Sequence, residues 1–312
     1  MNDPERFSAA GRMDGLGATA SDEGAKVSDM GIRSLDERDI DDALRLTRAA
    51  GWNQDRDDWL LFHSLPTAQC FVAGRASEVI GAAVALQVSS RVGWISMVLV
   101  DSLHRRQGVG RVLMHAAIEH LEEHLPTIML DATPAGAALY QTLGFVRASS
   151  VTRMRRTRAI PSMPVDDRPK VHEVVIEPSV IDRVGDVDEK WASYYRSALW
   201  QGLSTRHGAR LFFAGESDAG IDGYALMRPG HSATQVGPIA APAEAIARSL
   251  LTHICSCATE ALIIDIPETS HTLSGLIADL GFRPERDFIR MRRGAPAQIG
   301  PRDWATAGPD WG

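Results

Sequence analysis

Several things are scarce in this sequence of 312 residues. No apolar run approaches the roughly 20 residues that a bilayer-spanning helix needs, so no membrane partner is expected. The first 30 residues lack an apolar core followed by a small-residue cleavage site, and no secretory leader is read there. Cysteine is limited to Cys70, Cys255 and Cys257. An odd, sparse set makes no disulfide framework, and Cys255-Ser256-Cys257 has the wrong spacing for a zinc knuckle. Reduced thiols in a cytoplasmic protein, with no bound metal, are the expectation. Positive charge is in deficit: the formal net charge is −7. Binding a phosphate backbone usually needs a basic surface, so no nucleic-acid partner is expected. Composition says nothing of oligomeric state.

What remains is an ordinary globular mixture, 44% hydrophobic and 23% charged, long enough for two domains. Residues 1–28 are rich in Gly, Ala, Ser and Asp without periodicity and read as a disordered tail. Over 29–158 the pattern predicts the order β-α-α-β-β-β-α-β-α-β. Asp36 can cap a first helix, and a second runs over Asp55–Leu65. Strands at Cys70–Ala73, Val79–Val88 and Val92–Val100 are joined by short connections, which implies an antiparallel meander. A helix follows over Gly108–His124, then a strand at Ile128–Leu130. The next helix, Pro134–Leu143, has Thr133 as N-cap and Gly144 past its end, and Val151–Arg155 is the last strand. A proline-containing linker is read at 159–170. The same order returns in outline over 171–294, and 295–312 reads as a Pro/Gly-rich tail that Trp304 and Trp311 tack onto the surface.

The recurrence extends to residues. Leu143-Gly144-Phe145 matches Leu280-Gly281-Phe282, and Arg153-Met154-Arg155-Arg156 matches Arg290-Met291-Arg292-Arg293. Both matches share one offset of 137 positions, from 145 to 282 and from 154 to 291. Two matches at one offset over similar element orders indicate a duplicated domain.

Chemistry concentrates in the first copy. Arg105-Arg106-Gln107-Gly108-Val109-Gly110-Arg111 lies between a buried strand and an amphipathic helix. Glycines let an anion approach the backbone, and the first N–H groups of a helix have no internal acceptor. With the helix dipole and three arginines, this makes a pyrophosphate site. Other phosphate loops fit poorly. A third glycine of the dinucleotide fingerprint would fall at Leu113, and no Gly-Lys-Ser/Thr end is present.

Residues 31–156 resemble the GNAT superfamily of acetyltransferases. The pieces that carry the likeness are Met97-Val98-Leu99-Val100-Asp101, the Arg-x-x-Gly-x-Gly loop at 105–110, and Ala138-Leu139-Tyr140-Gln141-Thr142-Leu143-Gly144-Phe145. The resemblance implies an α/β fold of the α+β mixed-sheet kind, here two tandem GNAT-like domains. It implies acetyl-CoA as cosubstrate, with pantetheine in a gap beside the fourth strand. The main chain at Val98, Leu99 and Val100 would pair with the pantetheine amides. The amides and side chains from Arg105, Arg106 and Gln107 through Gly108, Val109, Gly110 and Arg111 would hold the pyrophosphate. Tyr140 falls where the superfamily often places the acid that protonates the leaving thiolate, and a phenol with a pKa of about 10 suits that task. A core tyrosine would look the same in sequence. Asp131, ending the fifth strand, is the available candidate for a general base, although it equally suits an Asx-type turn into Thr133-Pro134. Many relatives carry Asn where this chain has Ala135, which leaves CoA contacts at that helix start in doubt.

Around this centre, Asp55, Asp57 and Asp58 could attract an ammonium group or form a solvated helix face. Trp52 and Trp59 could line an acceptor pocket or sit in the core, and Arg206 and His207 could face the substrate. In the second copy the phosphate loop is missing, and Ile277 stands where Tyr140 stands in the first. That copy reads as a degenerate domain. The expected activity is transfer of an acetyl group from acetyl-CoA to a primary amine of a small molecule by direct attack. A protein-lysine acetyltransferase and a non-catalytic acyl-CoA-binding module remain as alternatives.

Overall fold

The computed structural model describes residues 31–75, 78–159, 169–192, 196–203, 205–215, 220–296 and 302–312. The tail read at 1–28 and most of the linker read at 159–170 lie outside these residues. No helix among the described residues is long and apolar enough to cross a membrane.

The first half runs β1 (Gly31–Ser34), α1 (Ile40–Ala49), α2 (Arg56–Ser64), β2 (Ala68–Arg75), β3 (Glu78–Gln87), β4 (Val92–Val100), α3 (Val109–Glu122), β5 (Thr127–Ala132), α4 (Pro134–Thr142) and β6 (Val146–Arg156). β2, β3 and β4 form the expected antiparallel meander. Helices α1 and α3 both pack on β3, which is why Val79–Leu86 is buried without alternation. Local signals set the helix starts. Asp55 accepts from the N–H groups of Asp57 and Asp58, and Asp58 reaches back to the Asp55 N–H. Thr133 accepts from Gly136, with Pro134 in the first turn of α4.

The second half repeats the plan. It runs β7 (Val171–Val174), α5 (Pro178–Ala192), α6 (Ser197–Leu203), β8 (Arg210–Ala214), β9 (Gly223–Arg228), β10 (Thr234–Ala240), α7 (Glu244–Cys257), β11 (Leu262–Pro267), α8 (Ser274–Asp279) and β12 (Arg283–Gly294). A further strand, β13 (Asp303–Ala305), follows and pairs with β10. The pattern gave no sign of it, because three residues are too few to show a period.

The two halves share one mixed sheet in the order β1-β2-β3-β4-β5-β12-β6-β11-β10-β9-β8-β7. Each half's last long strand therefore lies against the other half: β12 pairs with β5, and β6 pairs with β11. The two exchanged strands pair with each other, and Val151 stands opposite Phe288, positions that share the repeat's own offset of 137. The repeated Arg-Met-Arg-Arg segments now have a physical role. Arg153 donates to both oxygens of Asp265 at 2.8 Å. Its counterpart Arg290 donates to both oxygens of Asp131 at 2.8 and 2.7 Å. Both pairs are buried. Removing one partner of such a pair strands a charge and costs about 3–5 kcal/mol. The boundary read between 158 and 171 divides the sequence but not the sheet.

The expected surface tail is instead part of the interior. Trp311 is fully buried and stacks on Phe62 at 4.6 Å. One continuous apolar cluster joins Trp59, Phe62 and Trp94 of the first half to Trp200 and Tyr224 of the second, with Trp311 among them. Asp303 is drawn in by Arg196, which also grips Asp188.

Candidate functional site

β4 and β5 begin as parallel neighbours, but the pairing covers only Val92, Gly93 and Trp94 opposite Thr127, Ile128 and Met129. Beyond Trp94 the strands diverge and leave a wedge. On its other side β4 is irregular as well. The ladder with β3 shifts between Ala82 and Val84, so that Met97 and Val98 together oppose Ala83, and Met97 takes a φ of 52°. A bulge of this kind turns main-chain groups out of the ladder, here at the mouth of the wedge.

Past β4, Asp101 accepts from the Leu103 N–H and pairs with Arg45 at 2.8 Å, as a residue that orients the loop. Arg106 takes a φ of 58° and Gly108 a φ of 83°, in the left-handed region. Gly108 is the N-cap of α3 and offers no side chain to its N–H groups. The first turn of α3 holds no acidic residue, and buried Val109 anchors it on the sheet. A Cβ added at Gly110 would meet Leu139 and Val100 only at 3.6 Å. Packing therefore does not require glycine there, and the free approach to the backbone is available to a ligand. Arg105, Arg106 and Arg111 are exposed around this turn. The Arg111 guanidinium donates to Thr142 at 3.1 Å, and the Gln107 amide to the Leu103 carbonyl at 3.0 Å. An uncapped helix start, positive charge and an open wedge beside it are the features a CoA pyrophosphate and pantetheine require.

The wedge opens into a pocket of about 70 Å³, continuous with solvent, whose lining includes Ile95–Val98 of β4, Asp131 of β5 and Tyr140 of α4. The Tyr140 ring lies over Gly136, where an added Cβ would sit 3.0 Å from it, and faces Phe145 at 6.3 Å between ring centres. Burial pushes the phenol up to about 12. Asp131 faces the same pocket, yet both its oxygens accept from Arg290. It forms a buried ion pair that joins the halves.

The opposite wall is built by long-range contacts that local patterning could not reveal. Trp52 and Gln54 line it. Between them the Asn53 side chain is locked to the second half, accepting from the N–H groups of Ser232 and Ala233 at 2.9 and 3.1 Å. Arg286 and Phe288 come from β12, and Pro309 and Asp310 from the tail. The Pro309 carbonyl accepts from the Trp94 indole at 2.9 Å, which fixes the tail over the pocket. Trp59 is in the core, donating to Thr47. The Asp55–Asp58 cluster lies outside this pocket, and of its three carboxylates Asp57 alone is exposed. Arg206, its side chain buried, donates to both oxygens of Asp55, with Asp57 and Asp58 close by. His207 lines a separate surface hollow.

The second half contains the same wedge, filled. β10 and β11 pair over three residues, Thr234, Gln235 and Val236 opposite Leu262, Ile263 and Ile264, and then part. The gap holds β13, whose Ala305 stands opposite Ile239 on β10. The Thr306 N–H donates to the Asp265 carbonyl of β11 at 2.9 Å, so the segment is hydrogen-bonded to both walls. Gly237, with a φ of 139°, lies so close that an added Cβ would strike the Thr306 carbonyl. α7 begins at Ala243 with Glu244 in its first turn, a charge that repels an anion. Ile277 is buried core.

Comparison with known proteins finds acetyltransferase likeness in both halves. Residues 38–145 match the model of the acetyltransferase (GNAT) family, and residues 184–303 match that of an acetyltransferase (GNAT) domain. The chain is 26% identical over 268 residues to an uncharacterized N-acetyltransferase, YitH, of Bacillus subtilis (strain 168), covering 85% of this chain and 93% of that protein. A putative acetyltransferase from Pyrococcus horikoshii shares the fold with a TM-score of 0.78 at 22% identity, over 91% of this chain and 96% of the other. A tandem GNAT protein from the clavulanic acid biosynthesis pathway superposes with a TM-score of 0.60 at 16% identity, over 86% of this chain and all of the other.

Proposed function

We propose that this chain, which belongs to the GNAT family of acetyltransferases and carries two GNAT domains in tandem, moves an acetyl group from acetyl-CoA to a primary amine of a small molecule, using the first-half wedge alone. The observation that carries this reading is the contrast between an open wedge beside an uncapped helix start and a second wedge occupied by β13. Pantetheine would lie along β4, with main-chain groups at Val98 and Val100 as partners. The N–H groups at Val109, Gly110 and Arg111 would receive the pyrophosphate, aided by the surrounding arginines.

The chemistry is direct attack of the amine nitrogen on the thioester carbonyl, with breakage of the carbon–sulfur bond. A main-chain N–H at the Met97–Val98 bulge would stabilise the charge that develops on the carbonyl oxygen. Tyr140 gives its proton to the departing thiolate. A free thiol has a pKa of about 8.5, so donation from a phenol raised to about 12 would be uphill in water. A sulfur lying beside Tyr140 in the wedge would lose water as the phenol does, and its pKa would rise with that of the phenol. A pocket walled by Trp52 and the tail suits a compact acceptor better than a protein side chain on a bulky partner. The test joins calorimetry with acetyl-CoA to an amine-panel screen for free thiol. One site per chain and turnover on small amines are expected. Binding without turnover on any amine would favour a non-catalytic module, and turnover only on protein lysines would remove the small-molecule reading.

A further inference from the structure

The acceptor side of the pocket carries polar atoms that the fold does not use. The Oδ2 of Asp310, the Oε1 of Gln54 and the Oγ of Ser96 are all buried, and none has a hydrogen-bond partner among the described residues. All three residues line the one pocket, and each is more than nine-tenths buried. A buried acceptor left unpaired is destabilising, and three around one cavity point to an occupant rich in N–H donors. A fourth group has the opposite charge. Arg286 lines the same pocket at a bulge in β12, opposite Arg153. Arg153 is neutralised by Asp265, whereas Arg286 has no carboxylate partner among the described residues.

We infer that the acceptor is a small zwitterion, an amino carboxylate, whose ammonium is received by Asp310 with Gln54 and Ser96, and whose carboxylate is received by Arg286. This rests on the acetyl-transfer reading above and deepens it. Three N–H donors of an ammonium match three acceptors, and a guanidinium matches a carboxylate in two-point contact. Asp310 then serves as the base. It takes one proton from the ammonium. The neutral nitrogen attacks the thioester carbon, the carbon–sulfur bond breaks, and the sulfur receives its proton from Tyr140. Tyr140 recovers a proton from the new amide nitrogen, and Asp310 releases its own to solvent. Burial raises the Asp310 carboxyl and so favours proton uptake. The charged groups facing it are Arg228 of β9, Arg153 of β6 and Asp58 of α2.

The test sets β-alanine, 4-aminobutyrate and α-amino acids beside their carboxamides and their decarboxylated amines, with thiol release as the readout. Wild-type kcat/KM should favour the carboxylate of each set by at least about tenfold, as a charge-assisted two-point contact would give. Arg286→Gln should bring that ratio towards one. Asp310→Asn should lower kcat while calorimetric acetyl-CoA affinity stays unchanged, and should remove the acid limb of the pH profile. Equal use of carboxylates and carboxamides, a ratio unmoved by Arg286→Gln, or no turnover of any member by a protein that binds acetyl-CoA would overturn the inference. Failure to bind acetyl-CoA would be a different result, removing the acetyl-transfer reading and this inference with it.

Discussion

In both halves a central strand leaves its parallel neighbour after three residue pairs, and in both the ladder on its other side is interrupted just beyond that point. What differs is the occupant. In the first half the gap is open and lies beside a helix start free of acidic groups. In the second, the chain's own strand β13 fills it, hydrogen-bonded to both walls, and the helix start carries Glu244. The gap of the second half is a socket for the tail, and the tail continues from that socket to wall the first pocket with Pro309 and Asp310. The second half thus contributes to the candidate site through the segment that occupies its own gap.

The comparison is broken most completely by closing the open wedge. Gly110→Asp places a carboxylate where the anion would sit, at a position whose surroundings accept a Cβ at 3.6 Å. Acetyl-CoA binding should fall below calorimetric detection with the melting temperature nearly unchanged. Gly108 is a poorer probe, because its φ of 83° strains any other residue and mixes folding loss with binding loss. Retained affinity in Gly110→Asp would show that the two helix starts do not differ in function.

Tyr140→Phe tests whether the Tyr140 and Ile277 positions differ in chemistry as well as in side chain. It removes one hydroxyl and keeps the ring on Gly136. Turnover should drop by roughly 10²–10⁴-fold with little change in KM for acetyl-CoA. Wild-type turnover above and below neutral pH would leave solvent as the proton donor.

A third experiment tests the dependence of the open half on the filled one. Trp311→Ala leaves a cavity against Phe62 in the shared core, and a loss of about 3–5 kcal/mol is expected in urea unfolding. Both halves should unfold in one transition, since they share the sheet and the core. Two separated transitions would show that the exchanged strands do not couple them.

A pH-dependent effect concerns Asp58, at the contact between the halves. Burial pushes its carboxyl up to about 7, against an ordinary 3.8, despite Arg206 and Arg228 nearby. Between those two values the folded state binds more protons than the unfolded state. The stability Asp58 contributes is therefore fully present below about pH 4 and is lost as pH rises towards 7, with a slope of at most about 1.4 kcal/mol per pH unit. Asp58→Asn keeps an oxygen for the Asp55 N–H and should flatten that decline. Unfolding free energies at pH 4.5 and 7.5 decide it, and an unchanged slope would mean that Asp58 is ionised throughout.

Helix starts at Asp55 and Thr133, the meander, the loop glycines and the offset of 137 were legible because each depends on residues close in sequence or on a repeat that can be read directly. The same reasoning placed Trp311 at the surface and offered Asp131 as a general base or an Asx-type turn. It could reach neither the Trp311 stack nor the Asp131 ion pair for one reason: the partners that form them, Phe62 and Arg290, lie 249 and 159 residues away. Gln54, Ser96, Arg286 and Asp310 went unnoticed as site residues for the same reason, since each is unremarkable in its own stretch of chain. Local signals specify two copies of one α/β plan and a glycine-marked, uncapped helix start in the first, because caps, periods and glycine turns act over a few residues. Packing across the whole chain settles which half each Arg-Met-Arg-Arg strand joins, what fills the second wedge and which carboxylate reaches the pocket beside the first. Those choices are settled by which buried charges and strand edges find partners across the whole chain, and no local pattern encodes them.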